Sequence, residues 1–390
     1  MNDMIPYGRQ CIGADDIEAV ASSLSSDWLT TGPEVEAFER DVATVFGAQH
    51  AVAVNSGTAA LHAAMRGVGV GPGDEVIVPA MTFVASANAV IYEGGTPVFA
   101  DVDPDTLLVD PASVAAVRTE RTKALIAVDY AGQPCDYEAL RLAAPGIRII
   151  ADACHAPGAT DRGRPVGTLA DASTLSLHPV KHFTSGEGGI VLTNDAIMAA
   201  RMCRFRNHGI DSDHRQRSER GTYAFDMVEL GYNYRITDFQ CALARSQLRK
   251  LPSWLKRRRS IAARYDTAFA ESEAYEPLAV RPNTEHAYHI YVVRLRLERL
   301  GVNRKQIFAA FREAGIGVNV HYQPVYLHSF YREAFGHAQG LCPVAEKAYE
   351  RILSLPIYPA MNDIDVGRVI EVASTLGRRY LRRSDPVVAG

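Results

Sequence analysis

The sequence predicts an α/β protein, with a mostly parallel central sheet covered by helices on both faces and a smaller C-terminal α+β domain. Three observations point there. From residue 51 onward short β-branched runs alternate with Ala-rich helical stretches. The runs are apolar throughout, as strands buried on both faces are. After Asn233 the texture changes to a long Arg-rich helical stretch. A chain of 390 residues is long enough for two domains with substantial cores, and 47% hydrophobic with 22% charged residues excludes a disordered or fibrous protein.

AVAV (51–54) reads as the first strand of this pattern and TAALHAAMRGV (58–68) as a helix closed by Gly69. EVIVP (75–79) is the next strand, followed by a helical stretch over 83–92. PVFAD (97–101), ALIAV (124–128) and RIIAD (148–152) repeat the theme, and STLSL (173–177) leads toward a Gly-rich hairpin. A helical stretch over 236–273 contains LRKLPSWLKRRRS. YHIYVVRLRL (288–297) alternates like a strand, and helical patterns cover 303–314 and 363–383. These textures place an N-terminal arm and large domain in 1–250 and a small domain in 251–390.

The charge balance, 41 − 45 = −4, gives no global attraction to nucleic acid. The basic clusters Lys256–Arg259 and Arg378–Arg383 read as solvated helix faces. Cys11, Cys135, Cys154, Cys203, Cys241 and Cys342 are scattered, with no CxxC pair and no zinc-ligand spacing, so neither a metal site nor a disulfide framework is expected. The start, MNDMIPYGRQ, lacks the pattern of a secretory leader, and the longest uncharged stretch, Val76–Tyr92, is too short and polar to span a bilayer. The expectation is a soluble cytoplasmic protein with no membrane or nucleic-acid partner.

In doubly covered sheets ligands gather beyond the carboxyl ends of the strands. Positive charge is almost all arginine, 35 residues against six lysines. Lys181 stands apart from the other five, in LSLHPVKHFTSGEGG, with no acid nearer in sequence than Glu187. A surface lysine is the ordinary role of this residue type, but apolar and cationic surroundings lower an amine's pKa and suit a nucleophile. Asn55-Ser56-Gly57-Thr58 follows a strand and opens a helix, where small residues let backbone N–H groups approach an anion. Asp152 ends a buried strand and needs a cationic partner. Ser176, near the end of its strand, offers a hydroxyl to a phosphate, and His178 is placed to pack beside the lysine. Phosphate loop, acidic strand end and lysine after a strand are together the parts of a pyridoxal 5′-phosphate site. Phe83, in PAMTFVASAN, either stacks on the ring of that cofactor or packs in the core.

NSGTAALH, PAMTFVASANAV, GGTPVFADVDPDT, DACHAPGA, SLHPVKHFTSGEGG and GYNYRITDFQ resemble the DegT/DnrJ/EryC1/StrS sugar aminotransferases. The resemblance covers nearly the whole chain and implies the fold-type I architecture of pyridoxal phosphate enzymes. It implies that Lys181 binds the cofactor covalently and that Asp152 holds the pyridinium nitrogen. Gly57, Thr58 and Ser176 would hold the phosphate, and Phe83 and His155 would contact the cofactor. Asn233 resembles the position that reaches the phosphate of a neighbouring subunit, so a homodimer with shared sites is implied. Tyr7, Asp27, Trp28, Leu29, Thr30, His178, His321 and Tyr322 match regions that line the sugar-nucleotide pocket. Cys154 and Ser185 stand where Ala and Thr are frequent in relatives, and neither removes a needed group.

Within that family DWLTTGP, HPVKH followed by TSGEGG, and NVHYQPVY most resemble the members that aminate a UDP-linked 4-keto-6-deoxy sugar, and this resemblance implies such an acceptor with L-glutamate as donor. The particular acceptor implied is UDP-2-acetamido-2,6-dideoxy-β-L-arabino-hex-4-ulose, on the way to pseudaminic acid. UDP-4-keto-arabinose or a dTDP-keto sugar are alternative acceptors. A non-catalytic sugar-nucleotide sensor is the reading from a different class, against which the presence of both Lys181 and Asp152 argues.

Overall fold

The apolar runs pair into one seven-stranded sheet. The computed structural model describes residues 4–212 and 214–382, and its central strands are β1 (His50–Val54), β2 (Glu75–Pro79), β3 (Thr96–Ala100), β4 (Thr122–Val128), β5 (Arg148–Asp152), β6 (Ala172–Ser176) and β7 (Gly189–Thr193). Their spatial order is β1-β7-β6-β5-β4-β2-β3. Neighbours are parallel except around β7, which runs antiparallel to both β1 and β6. Val76, Ile77, Val78, Leu125, Ile126, Ile149 and Ile150 are all fully buried, which explains why these runs show no polar alternation.

Helices α1 (Ala14–Leu24), α2 (Pro33–Phe46), α3 (Gly57–Val68), α4 (Val84–Tyr92) and the long α5 (Asp238–Phe269) belong to the same part of the fold. The helix α3 buries every residue from Ala59 to Met65, so its alanines serve close packing against the sheet. Thr237 and Gln240 form a reciprocal cap at the start of α5. Leu248, Leu251 and Leu255 of α5 join the core around the large sheet, and Ile261, Ala262, Tyr265 and Phe269 join a second cluster. That second cluster also holds an antiparallel sheet of β8 (Tyr275–Pro277), β9 (Tyr291–Leu295) and β10 (Ile352–Leu355), with helices α6 (Arg304–Glu313) and α7 (Asp363–Tyr380).

Three expectations are corrected here. The strand expected over 288–297 occupies only Tyr291–Leu295. Tyr288 lies in the left-handed region at φ 49°, and the carbonyls of Tyr288 and His289 accept from a side chain, not from a neighbouring strand. That side chain is Arg258, one of the basic cluster expected on a solvated face. It is 1% exposed. Its Nη1 donates to the carbonyls of Tyr288 at 3.0 Å, His289 at 3.2 Å and Ile357 at 2.9 Å, so three backbone acceptors replace the water the guanidinium gives up. The helix expected to reach residue 383 ends at Tyr380, and Arg383 lies outside the described residues. All six cysteines are free. Among the described residues no helix is long and apolar enough to cross a membrane, and no cluster of His, Cys, Asp and Glu could hold a metal ion.

Candidate active site

A cavity of about 960 Å³ opens beyond the carboxyl ends of the central strands. The sequence places polar groups there from four directions.

The first is the turn from β1 into α3. Ser56 caps the helix by accepting from the Ala59 N–H at 3.1 Å, which leaves the N–H groups of Gly57 and Thr58 without that partner. A Cβ on Gly57 would lie 2.9 Å from Ser176 Cβ, so glycine is what lets the start of α3 meet the end of β6. Gly57, Thr58 and Ser176 thus form one concave edge of the cavity at a helix N-terminus, a natural anion cradle.

The second is Asp152, 7% exposed at the end of β5. Ser86 on α4 donates its hydroxyl to Oδ2 at 2.7 Å, and the Cys154 N–H donates to Oδ1 at 3.3 Å. Because the Ser86 proton is committed to the carboxylate, Thr82 is the donor in the 2.7 Å bond between the two hydroxyls. Asp152 forms no ion pair among the described residues, so the carboxylate keeps lone pairs for a cation entering the cavity.

The third is Lys181, in the connection between β6 and β7. Its backbone N–H donates to the His178 carbonyl at 2.9 Å. Burial lowers its amine pKa, and the thiol of Cys154 and the carboxylate of Asp152 pull in the opposite direction.

The fourth is a group of imidazoles and phenols. His289 Nε2 lies 3.5 Å from Lys181 Nζ, and the His155 ring is 4.3 Å from that of His289, centre to centre. His155 Nε2 and the Tyr322 hydroxyl are 3.1 Å apart. His321 bonds Ser354 through Nδ1 at 2.8 Å, and its ring stands 5.6 Å from that of Tyr7. Burial, with Lys181 adding to it, pushes the His321 pKa down to about 4 and those of His155 and His289 well below the ordinary value. These rings are uncharged at neutral pH.

The cavity thus gathers Gly57, Thr58, Phe83, Asp152, His155, Ser176 and Lys181, together with Tyr7, His178, His321 and Tyr322, which were expected to line the sugar pocket. Phe83 is 56% exposed and faces Tyr322 at 6.0 Å, which excludes a core-packing role for it. The segment Asp27, Trp28, Leu29 and Thr30 is not among the lining residues. It lies exposed between α1 and α2, held to the start of α5 by the Asp238 N–H donating to the Leu29 carbonyl at 3.0 Å. Asn233 is likewise exposed and outside this cavity, its carbonyl accepting from Asn55 Nδ2 at 3.3 Å.

Ser86 and His289 were not singled out by sequence. Ser86 is hidden within an Ala-rich helix, and His289 sits in a run whose alternation imitates a strand. Glu187, Asn319 and Gln323, which lie in the TSGEGG and NVHYQPVY segments without having been singled out individually, also reach the cavity, as do His328 and Tyr349, whose sequence context gives no signal.

The profile of the DegT/DnrJ/EryC1/StrS aminotransferase family matches residues 10–374. The chain belongs to this family. It is 40% identical over 374 residues to the spore coat polysaccharide biosynthesis protein SpsC of Bacillus subtilis, covering 95% of this chain and 96% of that one. Its structure is similar to the PLP form of Spr1654 from Streptococcus pneumoniae, with a TM-score of 0.90 and 33% identity over 97% of this chain and 100% of the other. Helicobacter pylori PseC, an aminotransferase involved in the biosynthesis of pseudaminic acid, matches with a TM-score of 0.90 and 30% identity, over 97% and 100% of the two chains. This member of the DegT/DnrJ/EryC1/StrS family is a sugar aminotransferase of the α/β aminotransferase fold, and its cofactor is pyridoxal 5′-phosphate. The residues present fit that cofactor: an anion cradle that a Cβ at Gly57 would close, an unpaired carboxylate, and an amine of lowered pKa share one cavity.

Proposed function

We propose that this enzyme moves an amino group from L-glutamate to C4 of UDP-2-acetamido-2,6-dideoxy-β-L-arabino-hex-4-ulose, a step toward pseudaminic acid. The observation that carries the reading is the convergence of Lys181, Asp152 and the start of α3 on one cavity of about 960 Å³, large enough for a cofactor and part of a sugar nucleotide. The end-to-end similarity to PseC supports this acceptor among the nucleotide-linked keto sugars.

Bound pyridoxal phosphate supplies an aldehyde for the amine and a ring that withdraws electrons from the bond being broken. In this reading Gly57, Thr58 and Ser176 hold the phosphate. Asp152, fixed by Ser86, keeps a proton on the ring nitrogen. Lys181 would accept the donor's α-proton at Nζ and hand it on to the cofactor. Phe83 covers one face of the ring. Tyr7, His178, His321 and Tyr322 face the sugar, and the neutral imidazole of His321 hydrogen-bonds without adding charge.

The active unit in this reading is a cytoplasmic homodimer, in which Asn233 and the 27–30 segment of one copy complete the cavity of the other. Exposed apolar side chains just before Asn233, including Tyr223 at 95% and Leu230 at 72% exposure, support a second copy as their cover. We divide the chain into 1–250 and 251–390, a reading supported by the two hydrophobic clusters that meet along α5.

A two-stage absorbance titration tests the acceptor. Glutamate is expected to bleach the band of the Lys181-bound cofactor, and after donor removal the keto sugar is expected to restore it with release of an aminated sugar. Bleaching without restoration would reject this sugar and point to UDP-4-keto-arabinose or a dTDP-keto sugar.

A further inference from the structure

We propose that His289 is a positioning residue that keeps the Lys181 amine uncharged by donating its Nε2–H to the lone pair on Nζ. The inference rests on the reading of Lys181 as the cofactor-bearing lysine and concerns the amine in its free state.

The argument begins at the far side of the ring. His289 is buried, and its Nδ1 has no hydrogen-bond partner among the described residues. A proton on Nδ1 would be a buried donor with nothing to meet, whereas a bare Nδ1 leaves only an unused acceptor, the cheaper of the two defects. The proton therefore belongs on Nε2, the nitrogen that lies 3.5 Å from Lys181 Nζ, at the outer edge of hydrogen-bonding range. An Nε2–H can bond an amine, which has a lone pair, and not an ammonium, which has none. The tautomer and the charge of the lysine are coupled.

The backbone that carries the ring is also held in place. The His289 N–H donates to the Ala131 carbonyl at 2.9 Å, and a Cβ on Gly132 would come within 3.0 Å of the His289 nitrogen. Its carbonyl accepts from Arg258 at 3.2 Å. His289 is thus clamped from the sheet side by the 131–132 turn and from the helix side by α5.

Other groups facing Lys181 divide in their effect. Asp152 favours the ammonium and is the opposing carboxylate. The Cys154 thiol acts in the same direction as Asp152, while His155, His182 and His321 are buried and neutral, and the guanidinium of Arg258 lowers the pKa of His182 and His289. His182 is fixed as an Nε2 donor by the Ala287 carbonyl at 3.0 Å, so it is committed elsewhere. Among these rings His289 alone has Nε2 within reach of Nζ.

Competitive trace acetylation of the full-length apoprotein with acetic anhydride, from about pH 6 to about pH 11, reads the charge of Lys181 directly when its peptide is quantified by mass spectrometry. His289→Phe keeps a ring and removes the donor. Labelling of Lys181 near pH 8 is expected to fall about tenfold, a rise of about one unit in the amine pKa. His289→Gln, which places an N–H near the former Nε2, is expected to stay within about twofold of wild type. Unchanged or faster labelling in His289→Phe would overturn the proposal, since an imidazole accepting from an ammonium gives that opposite sign. A measurement on wild type needs no variant to fold: long-range proton–nitrogen NMR of histidine-labelled protein should show a protonated Nε2 and a bare Nδ1 at His289, and the reverse tautomer would refute the idea. Borohydride reduction of the holoenzyme tests the underlying reading separately. A phosphopyridoxyl tag on Lys181 with labelling unchanged or faster in His289→Phe sinks this inference alone, and a tag on another lysine sinks both.

Discussion

The carboxyl edge of the central sheet and the exposed run from Tyr223 to Asn233 solve opposite problems. At the sheet edge polar groups are buried and hold one another, as Thr82, Ser86 and Asp152 do in series. Along the exposed run Tyr223, Phe225, Met227, Val228 and Leu230 turn apolar surface to solvent. The first region gathers its polar groups from one chain. The second has the chemistry of a surface that waits for cover. A family motif can therefore be split between the two, with Lys181 in one and Asn233 in the other.

Several experiments would break or sharpen that contrast. Lys181→Ala is expected to remove multiple turnover entirely while the thermal unfolding midpoint stays near wild type, and near-normal turnover would dismantle the site. Asp152→Asn should lower kcat by about 10²–10³-fold, because a neutral amide no longer holds charge on a ring nitrogen. At the exposed run, Leu230→Asp is expected to give a monomer by light scattering and to weaken cofactor retention. A monomer that keeps its cofactor and turnover would mean that the cavity needs nothing from a second copy.

The pH dependence of stability separates the regions differently. His321 has a folded pKa near 4 against about 6.5 unfolded, so the unfolded chain binds more protons between those values. Its contribution is fully present above about pH 6.5 and is lost as pH falls toward about 4, at up to about 1.4 kcal/mol per pH unit. Urea midpoints should fall between pH 7 and pH 5, and His321→Asn should flatten that slope. The smallest effect is expected for Ser86→Ala, about 1–2 kcal/mol in transition-state stabilisation from one lost bond to a charged group. Steady-state kinetics should show it in kcat with KM little changed.

Much of this architecture was legible beforehand because burial leaves a periodic trace. The strands ending at Val54, Val128 and Asp152 are continuous apolar runs, and α3 carries its alanines where the sheet presses on it. Lys181 stood out by composition, as a lysine in a chain that otherwise uses arginine. Arg258 was misread because it stands in an unbroken run of cations, Lys256 to Arg259, and only the carbonyls of residues 288, 289 and 357, distant in sequence, make its burial tolerable. His289 was absorbed into a strand for the same reason: the interactions that turn the chain at Tyr288 come from another element. Residues 27–30 carry a recognisable motif, yet no local pattern says which copy's cavity they would face.

The reversed direction of β7 has a consequence for how this protein can vary. A parallel successor to β6 would require a long crossover, and the lysine would then ride on a connection free to grow, shrink or wander. Antiparallel pairing, from Ala172 opposite Thr193 to Ser176 opposite Gly189, closes the connection into a hairpin stapled at both ends. Residues 177–188 therefore leave and re-enter the sheet at the same end, beside the cavity they line. The reactive amine is on a short leash, and lineages that change substrate must do so by redrawing the walls of the cavity around it.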